Sequence, residues 1–331
     1  MTPMVHVDGD LISLLSKALP GQVREGVPLS SVSRWRIGGP AAVLVEPRST
    51  EEAARLMAIM AERPEPLFIM GDGSNMLFDD AGFSGVVMRI GRTLSSFRIS
   101  STQVWSQAGA WVPRLASAVG AQGLSGLEHT IGIPGTLGGL IVMNGGSQRK
   151  GIGLNVREVL CADEFGNLFR LDGEECGFSY RTSALQSRRV AVLEATLELN
   201  IGDRKSIRAE MLKILRERSK KFPRKQANCG STFLSNPVMY AHVGPPGKAI
   251  EDAGLKGLRR GGARFSPLHA NFVVNEGDAT AADVLWLIAK ARRDVSERTG
   301  YLMDSEVRYL NPDGQVVPAH VAAEQLWPKT E

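Results

Sequence analysis

Thr130-Ile131-Gly132-Ile133-Pro134-Gly135-Thr136-Leu137-Gly138-Gly139-Leu140-Ile141-Val142-Met143-Asn144-Gly145-Gly146-Ser147 holds six glycines near the middle of the chain, and Pro134 pre-sets a turn ahead of Gly135. Glycine at this density carries a conformational-entropy cost that an ordinary loop need not bear. It is useful where backbone must come close to something large and flat, or where N–H groups must face an anion. The stretch lacks the Gly-Lys-Ser/Thr ending of a P-loop and the G-x-G-x-x-G spacing of a dinucleotide fingerprint. Two readings stay open on these residues alone. One is a tight turn leading into a small-residue helix or strand; the other is backbone contact with a cofactor.

A second stretch bears on that choice. Leu67-Phe68-Ile69-Met70 reads as a short buried strand, and it opens at once into Gly71-Asp72-Gly73-Ser74-Asn75-Met76-Leu77. Positions free to take φ > 0, successive N–H donors and a hydroxyl are the parts of a diphosphate cradle. Met76 stands where a Rossmann loop would have its third glycine. Two glycine loops, each beside an apolar strand, suggest one extended cofactor gripped at two places, for which flavin adenine dinucleotide (FAD) is the natural candidate.

Working outward, the 331 residues are enough for two or three domains with a full core, and 43% apolar with 22% charged residues is an ordinary globular composition. A net charge of +4 suits an anionic small substrate as well as a nucleic acid and decides between them poorly. Cys161, Cys176 and Cys229 are scattered without C-x-x-C spacing, which predicts a reducing compartment and no metal site. Residues 1–10 do not read as a signal peptide, and no apolar run approaches transmembrane length, so the expected location is cytoplasmic, with no membrane partner.

In chain order, residues 1–33 read as a peripheral leader with one amphipathic piece at Leu11-Ile12-Ser13-Leu14-Leu15. Trp35 to Pro47 gives a turn and a strand. Ser49-Thr50-Glu51-Glu52 caps a helix reaching about Glu62, with Ala53, Ala54, Leu56, Met57 and Met60 inward. A strand at 86–90 completes a βαβ opening, the first cofactor subdomain at about 34–92. A second, strand-rich subdomain follows at about 93–202. In it Leu193, Ala195, Leu197 and Leu199 alternate with Glu194, Thr196 and Glu198, the period-2 pattern of a half-buried strand. A boundary is expected at Asn200-Ile201-Gly202-Asp203. Beyond it come a basic helix over 204–221, read as a solvated face, then a third domain to 310 with a helix over 281–299 and strands at 270–274 and 306–310. The tail, 311–331, holds three prolines and is expected to be loosely held. The predicted class is α+β.

Three further pieces sit oddly for plain structure: Tyr180-Arg181-Thr182-Ser183, Gly230-Ser231-Thr232-Phe233, and Glu306 at the mouth of a strand. Each has a bland account, as a surface ion pair, a turn cap or a strand-edge carboxylate. Ser231 has no G-x-S-x-G context. The histidines show no metal-ligand spacing, and only His269, in Ser266-Pro267-Leu268-His269-Ala270-Asn271-Phe272, stands in a suggestive setting.

Taken together and in order, these pieces resemble the UDP-N-acetylenolpyruvoylglucosamine reductase (UDP-N-acetylmuramate dehydrogenase) family. The residues that carry the resemblance are Ile37-Gly38-Gly39-Pro40-Ala41, Gly71-x-Gly73-Ser74-Asn75, Gly132-Ile133-Pro134-Gly135-Thr136-x-Gly138-Gly139 with Met143-Asn144, Tyr180-Arg181-x-Ser183, Gly230-Ser231-x-Phe233, Ala253-Gly254-Leu255-Lys256-Gly257, Gly261-Gly262-Ala263, His269-Ala270-Asn271-Phe272 and Glu306-Val307-Arg308. The short run from Arg181 to Ser231 is similar to the type lacking an extra substrate-capping loop. The chain departs from the family's pattern at 145–149, at Leu234-Ser235 and at 30–33.

The resemblance implies an FAD-binding domain of the vanillyl-alcohol-oxidase (PCMH) type in two subdomains, within 34–202, and a substrate domain at 203–310. It implies FAD contacts at Gly71, Gly73, Ser74, Asn75, Gly132, Pro134, Gly135, Thr136, Gly138 and Gly139, and substrate contacts at Tyr180, Asn236, Lys256 and His269. The implied chemistry is reduction of an enolpyruvyl UDP-sugar by NADPH. Arg181 and Glu306 would hold and polarise the substrate carboxylate, and Ser231 would donate the proton. No nucleic acid or metal is expected. A paralogue acting on a related enolpyruvyl sugar nucleotide, an FAD-dependent oxidase of the same fold, and a non-catalytic flavin or nucleotide binder share parts of this pattern.

Overall fold

Ser49 accepts the Glu52 N–H through its hydroxyl and so opens the helix Thr50–Ala61, whose Ala53, Ala54, Leu56, Met57 and Met60 are all buried. The five inward residues expected from the helical period thus form the helix's inner face. The computed structural model describes residues 7–235 and 237–328. They form an α+β fold in two units, one of Met1–Glu25, Val43–Asp72 and Val86–Arg218, the other of Gly26–Ala42, Gly73–Gly85 and Ser219–Glu331.

A four-stranded sheet runs in the order Val23–Pro28, Pro40–Val45, Phe83–Arg89, Leu67–Met70. Its last pair is parallel, with Leu67 beside Val86 and Met70 beside Arg89, as the βαβ reading requires. In the first unit the antiparallel sheet runs Leu168–Asp172, Val156–Ala162, Ala191–Glu198, Gln103–Gln107, Phe97–Ser100. Leu193, Ala195 and Leu197 are buried there while Glu198 is exposed, so the alternation places one face in the core.

The second unit carries two three-stranded sheets. One runs Arg259–Arg260, Ala263–Phe265, Val273–Asn275; the other runs Val316–Pro318, Arg308–Leu310, Met76–Phe78. Against them lies the helix Ala281–Thr299, closed by a capping box in which the Thr280 hydroxyl accepts the Asp283 N–H and the Asp283 carboxylate accepts the Thr280 N–H. Val284, Leu287, Ile288, Ala291 and Val295 are buried in a core with Phe233, Phe265 and Met303.

Three expectations differ from what is observed. The stretch read as a peripheral leader contains the helix Gly9–Ala18, and Leu11, Leu15 and Leu19 are fully buried. The unit division falls inside the helix Arg204–Lys221 rather than at 202–203, because Met211 and Ile207 lie against Gly120, where a Cβ would stand 2.7 Å from Met211 Cε. The tail read as loosely held forms the strand Val316–Pro318, paired to Arg308–Leu310, and the helix Ala319–Leu326.

Candidate active site

In the first unit the two glycine loops meet. Gly71 ends the strand Leu67–Met70, and a Cβ at Gly71 would come within 2.1 Å of Thr136 Oγ1. Thr136 caps the short helix Leu137–Val142 by accepting the Gly139 N–H, and Gly138 N–H donates to the Ala108 carbonyl at 2.7 Å. Glycine at 138 is set by Ala108, whose Cβ would stand 2.9 Å from an added methyl. At 132 an added methyl would stand 2.4 Å from Cδ of Arg218, which places a guanidinium beside the loop. Sequence reasoning attributed these glycines to a cofactor's approach. Neighbouring protein atoms already disfavour a side chain at Gly71 and Gly138, while at Gly132 the flexible end of Arg218 could give way.

Gly139 is different. It is exposed, and a Cβ there would meet only Thr136 Oγ1, at 3.4 Å. Gly132, Ile133 and Pro134 are also partly exposed, so the strip presents backbone and small side chains with a cation alongside. Buried His129 precedes it. Burial pushes its imidazole down to about 4, helped by Lys150 and opposed by Glu128, and neither ring nitrogen has a partner among the described residues.

The Arg181 segment is bonded to the end of the same strip. The Asn144 amide donates to the Ser179 carbonyl at 2.7 Å and accepts the Gly153 N–H at 2.9 Å. Ser183 Oγ and Gln186 Nε2 both donate to the Val142 carbonyl, and Gln186 also reaches the Arg181 carbonyl. Arg181 itself takes φ +56°, and its Nη1 donates to the Gly146 carbonyl at 3.3 Å. Tyr180 beside it is half-exposed, its ring 5.8 Å from the Arg181 guanidinium. Gly146 lies in the 145–149 segment that departs from the family's pattern, so that segment touches Arg181 directly.

In the second unit Gly73, Ser74, Asn75, Ser231 and Glu306 are brought to one corner. Gly73 takes φ +57°, and its carbonyl lies 3.5 Å from the buried Cys229 thiol, which burial pushes up to about 12. Asn75 Nδ2 donates to the Glu306 carbonyl at 3.0 Å, and the Arg308 N–H donates to the Asn75 carbonyl. The Glu306 N–H donates to the carbonyl of Thr232, the residue after Ser231, at 2.8 Å. Asn271 holds the same strip from the other side, accepting the Phe233 N–H and donating to the Phe233 carbonyl, both at 2.9 Å. The turn before Ser231 is closed by Asn228, whose Oδ1 accepts the Gly230 N–H at 3.0 Å. A turn cap is therefore supplied by a residue other than Ser231.

His269 reaches that corner through Asn271, whereas Lys256 is bonded elsewhere. His269 packs against Phe222 and Phe272, and its Nδ1 accepts the Asn271 N–H; burial, with Lys221 and Lys256 nearby, lowers its pKa. Lys256 is exposed and paired with Glu251 at 2.8 Å. Asn236, expected as a substrate contact, lies outside the described residues. Among the described residues no cluster of His, Cys, Asp or Glu could hold a metal ion, and no helix is long and apolar enough to cross a membrane.

Residues 41–172 match the family model for an FAD binding domain, and residues 222–310 match that for the UDP-N-acetylenolpyruvoylglucosamine reductase C-terminal domain. UDP-N-acetylenolpyruvoylglucosamine reductase 1 of Corynebacterium glutamicum is 53% identical over 91% of this chain and 90% of its own length. The chain belongs to the UDP-N-acetylenolpyruvoylglucosamine reductase family. A reductase of that name from Heliobacterium modesticaldum is 38% identical over 91% of the chain and 94% of its own. The crystal structure of UDP-N-acetylenolpyruvylglucosamine reductase from Thermus caldophilus superposes with a TM-score of 0.74 at 31% identity, covering 87% of this chain and 99% of that one. The fold class and the FAD-binding domain expected from the sequence are met. The segment beyond 310, with its own strand and helix, lies outside the C-terminal family match.

The residues present fit FAD. The open face at Gly139, the convergence of Gly71 on Thr136 and the guanidinium beside Gly132 suit a flat ring system and an anionic diphosphate. Sequence reasoning quoted Asn144 among the residues of the resemblance but gave it no role, and it missed Gln186. Asn144 lies inside the glycine stretch, whereas Gln186 carries no local signal.

Proposed function

We propose that the chain is an NADPH-dependent flavoenzyme that reduces the enolpyruvyl group of UDP-N-acetylglucosamine enolpyruvate to UDP-N-acetylmuramate, in the cytoplasm and for peptidoglycan precursors. The observation that carries this reading is 53% identity to a named reductase across both domains, with the Gly73–Asn75, Ser231 and Glu306 segments hydrogen-bonded to one another. Bound FAD would accept hydride from NADPH and deliver it to the vinyl group of the substrate. Gly71, Gly73, Ser74 and Asn75, with Gly132, Pro134, Gly135, Thr136, Gly138 and Gly139, would hold it.

The remaining work falls to side chains of this chain. As hydride reaches the terminal vinyl carbon, negative charge develops on the substrate carboxylate, and the Arg181 fork is suited to stabilise it. Glu306 beside a carboxylate assists only when protonated or hydrogen-bonded. Ser231 gives a proton to the other vinyl carbon; a hydroxyl is a weak acid, so the step depends on a strongly basic carbon and a relay that restores the proton. Tyr180, Asn236, Lys256 and His269 would bind the UDP-sugar. The flavin contacts fall within 34–202, and the substrate contacts other than Tyr180 fall within 203–310, in the type without an extra capping loop.

The test is NADPH oxidation by purified protein. The expected outcome is a yellow protein that oxidises NADPH rapidly only when the enolpyruvyl UDP-sugar is added, with product two mass units heavier than substrate. A folded, colourless protein that takes up no FAD, or oxidation indifferent to that substrate, would overturn it.

A further inference from the structure

The stretch that carries Glu306 is held on its far side by the helix Ala281–Thr299 and by the segment beyond the family match. Arg292, from the helix Ala281–Thr299, is buried; it donates through Nε to the Met303 carbonyl at 2.6 Å and through Nη2 to Asp304 at 3.3 Å. The Ser305 N–H donates to His320 Nδ1 at 3.0 Å, and the His320 N–H returns a bond to Ser305 Oγ at 3.1 Å. Ser305 Oγ donates in turn to the Val307 carbonyl, and the Ala319 N–H donates to that carbonyl at 2.9 Å. His320 Nε2 stands 3.5 Å from Asp304 Oδ1. On its near side the same stretch bonds the Ser231 strip, through Leu234 N–H to the Asp304 carbonyl and Glu306 N–H to the Thr232 carbonyl.

We propose that His320, on the C-terminal helix Ala319–Leu326, is a positioning residue for Glu306 and the Ser231 strip, and that it acts only as neutral imidazole. The hydrogen bonding fixes the tautomer: Nδ1 accepts from the Ser305 N–H, so the ring proton sits on Nε2 toward Asp304. Protonation would set an Nδ1–H against the Ser305 N–H and break that bond. The inference rests on the reading of Glu306 as a catalytic group.

The groups facing His320 are Arg292 from the long helix, Asp304 from the clamped stretch and Glu324 from its own helix, which pairs with Arg292. Burial, and then Arg292, hold the imidazole below its ordinary 6.5 against the opposing pull of Asp304 and Glu324. The folded value is thus the lower one. The clamp is fully formed above pH 6.5 and is lost as pH falls through the depressed folded value.

Two variants separate positioning from plain structure. Asn places its Oδ1 where His carries Nδ1, so His320→Asn keeps an acceptor for the Ser305 N–H that cannot be protonated. His320→Leu removes it. In His320→Leu, substrate reduction by pre-reduced enzyme should slow by roughly 10²-fold, the loss that misplacing a reacting group by about 1 Å brings. Flavin reduction by NADPH should stay near wild type. His320→Asn should restore the rate at neutral pH and abolish the acid limb of the wild-type profile.

Amide hydrogen exchange at 305–307 supplies a readout independent of turnover. Corrected for the intrinsic pH dependence of exchange, protection should fall in the Leu variant and in wild type at acid pH, and not in the Asn variant. Exchange and rate unchanged in His320→Leu, loss of both half-reactions together with flavin, or an acid limb persisting in His320→Asn would each overturn the proposal. If the wild-type protein ignores the enolpyruvyl substrate but exchange follows this pattern, the function reading fails and the clamp stands.

Discussion

Arg181 holds a left-handed backbone conformation, φ +56°, with its side chain on the Gly146 carbonyl and its own carbonyl on Gln186. For a residue with a Cβ this conformation costs about 1 kcal/mol or more, and such strain persists where surrounding bonds over-determine it. Asn144, Ser183 and Gln186 supply those bonds. Arg181→Lys keeps the charge but not the planar fork that meets a carboxylate with two parallel bonds. Transfer to substrate should slow by up to roughly 10²-fold, as when a donor aimed at developing charge is removed. Reduction by NADPH should be little affected, as stopped-flow absorbance would show; equal loss in both would assign Arg181 to flavin binding or structure. The left-handed conformation itself was not legible, because Arg181 carries no glycine to announce it.

At the scale of elements, sequence was most readable where one period ran long. Thr50–Ala61 and Ala281–Thr299 declared their inner faces through residues spaced three and four apart; the capped start of the first was visible as Ser49-x-x-Glu52, while that of the second, Thr280 with Asp283, emerges from the structure. The second cap is fully formed, so Thr280→Ala should lower stability by about 1 kcal/mol, read as a fall in Tm. Turnover at ambient temperature should be unchanged. No fall in Tm would mean that the Asp80 carboxylate, which accepts the Ala281 N–H at 2.8 Å, caps this helix alone. The C-terminal strand and helix were illegible for a physical reason. Pro312, Gly314 and Pro318 read as loop, and the buried contacts of Ala319, Ala322 and Ala323 come from small residues with weak apolar signal. His320 could not be recognised either, since its partners Asp304 and Ser305 reach it only after the Val316–Pro318 strand pairs back on Arg308–Leu310.

For the molecule as a whole, the order of short motifs conveyed family and cofactor, while the reasons for individual glycines came from three-dimensional neighbours 30 to 65 residues away, as with Gly138 and Ala108 or Gly71 and Thr136. An oxidase sharing the flavin domain would reoxidise rapidly in air, whereas a reductase waits for its enolpyruvyl substrate. The central claim, that Ser231 completes that reduction, is tested most directly by Ser231→Ala with each half-reaction followed alone by stopped-flow flavin absorbance. The structure assigns the turn cap to Asn228, so loss of the Ser231 hydroxyl should leave folding and NADPH-driven reduction near wild type. Reoxidation by UDP-N-acetylglucosamine enolpyruvate should slow by roughly 10²–10⁴-fold, the contribution of a general acid, with Ser231→Cys between the two. An Ala variant that reoxidises with substrate as fast as wild type would contradict the account.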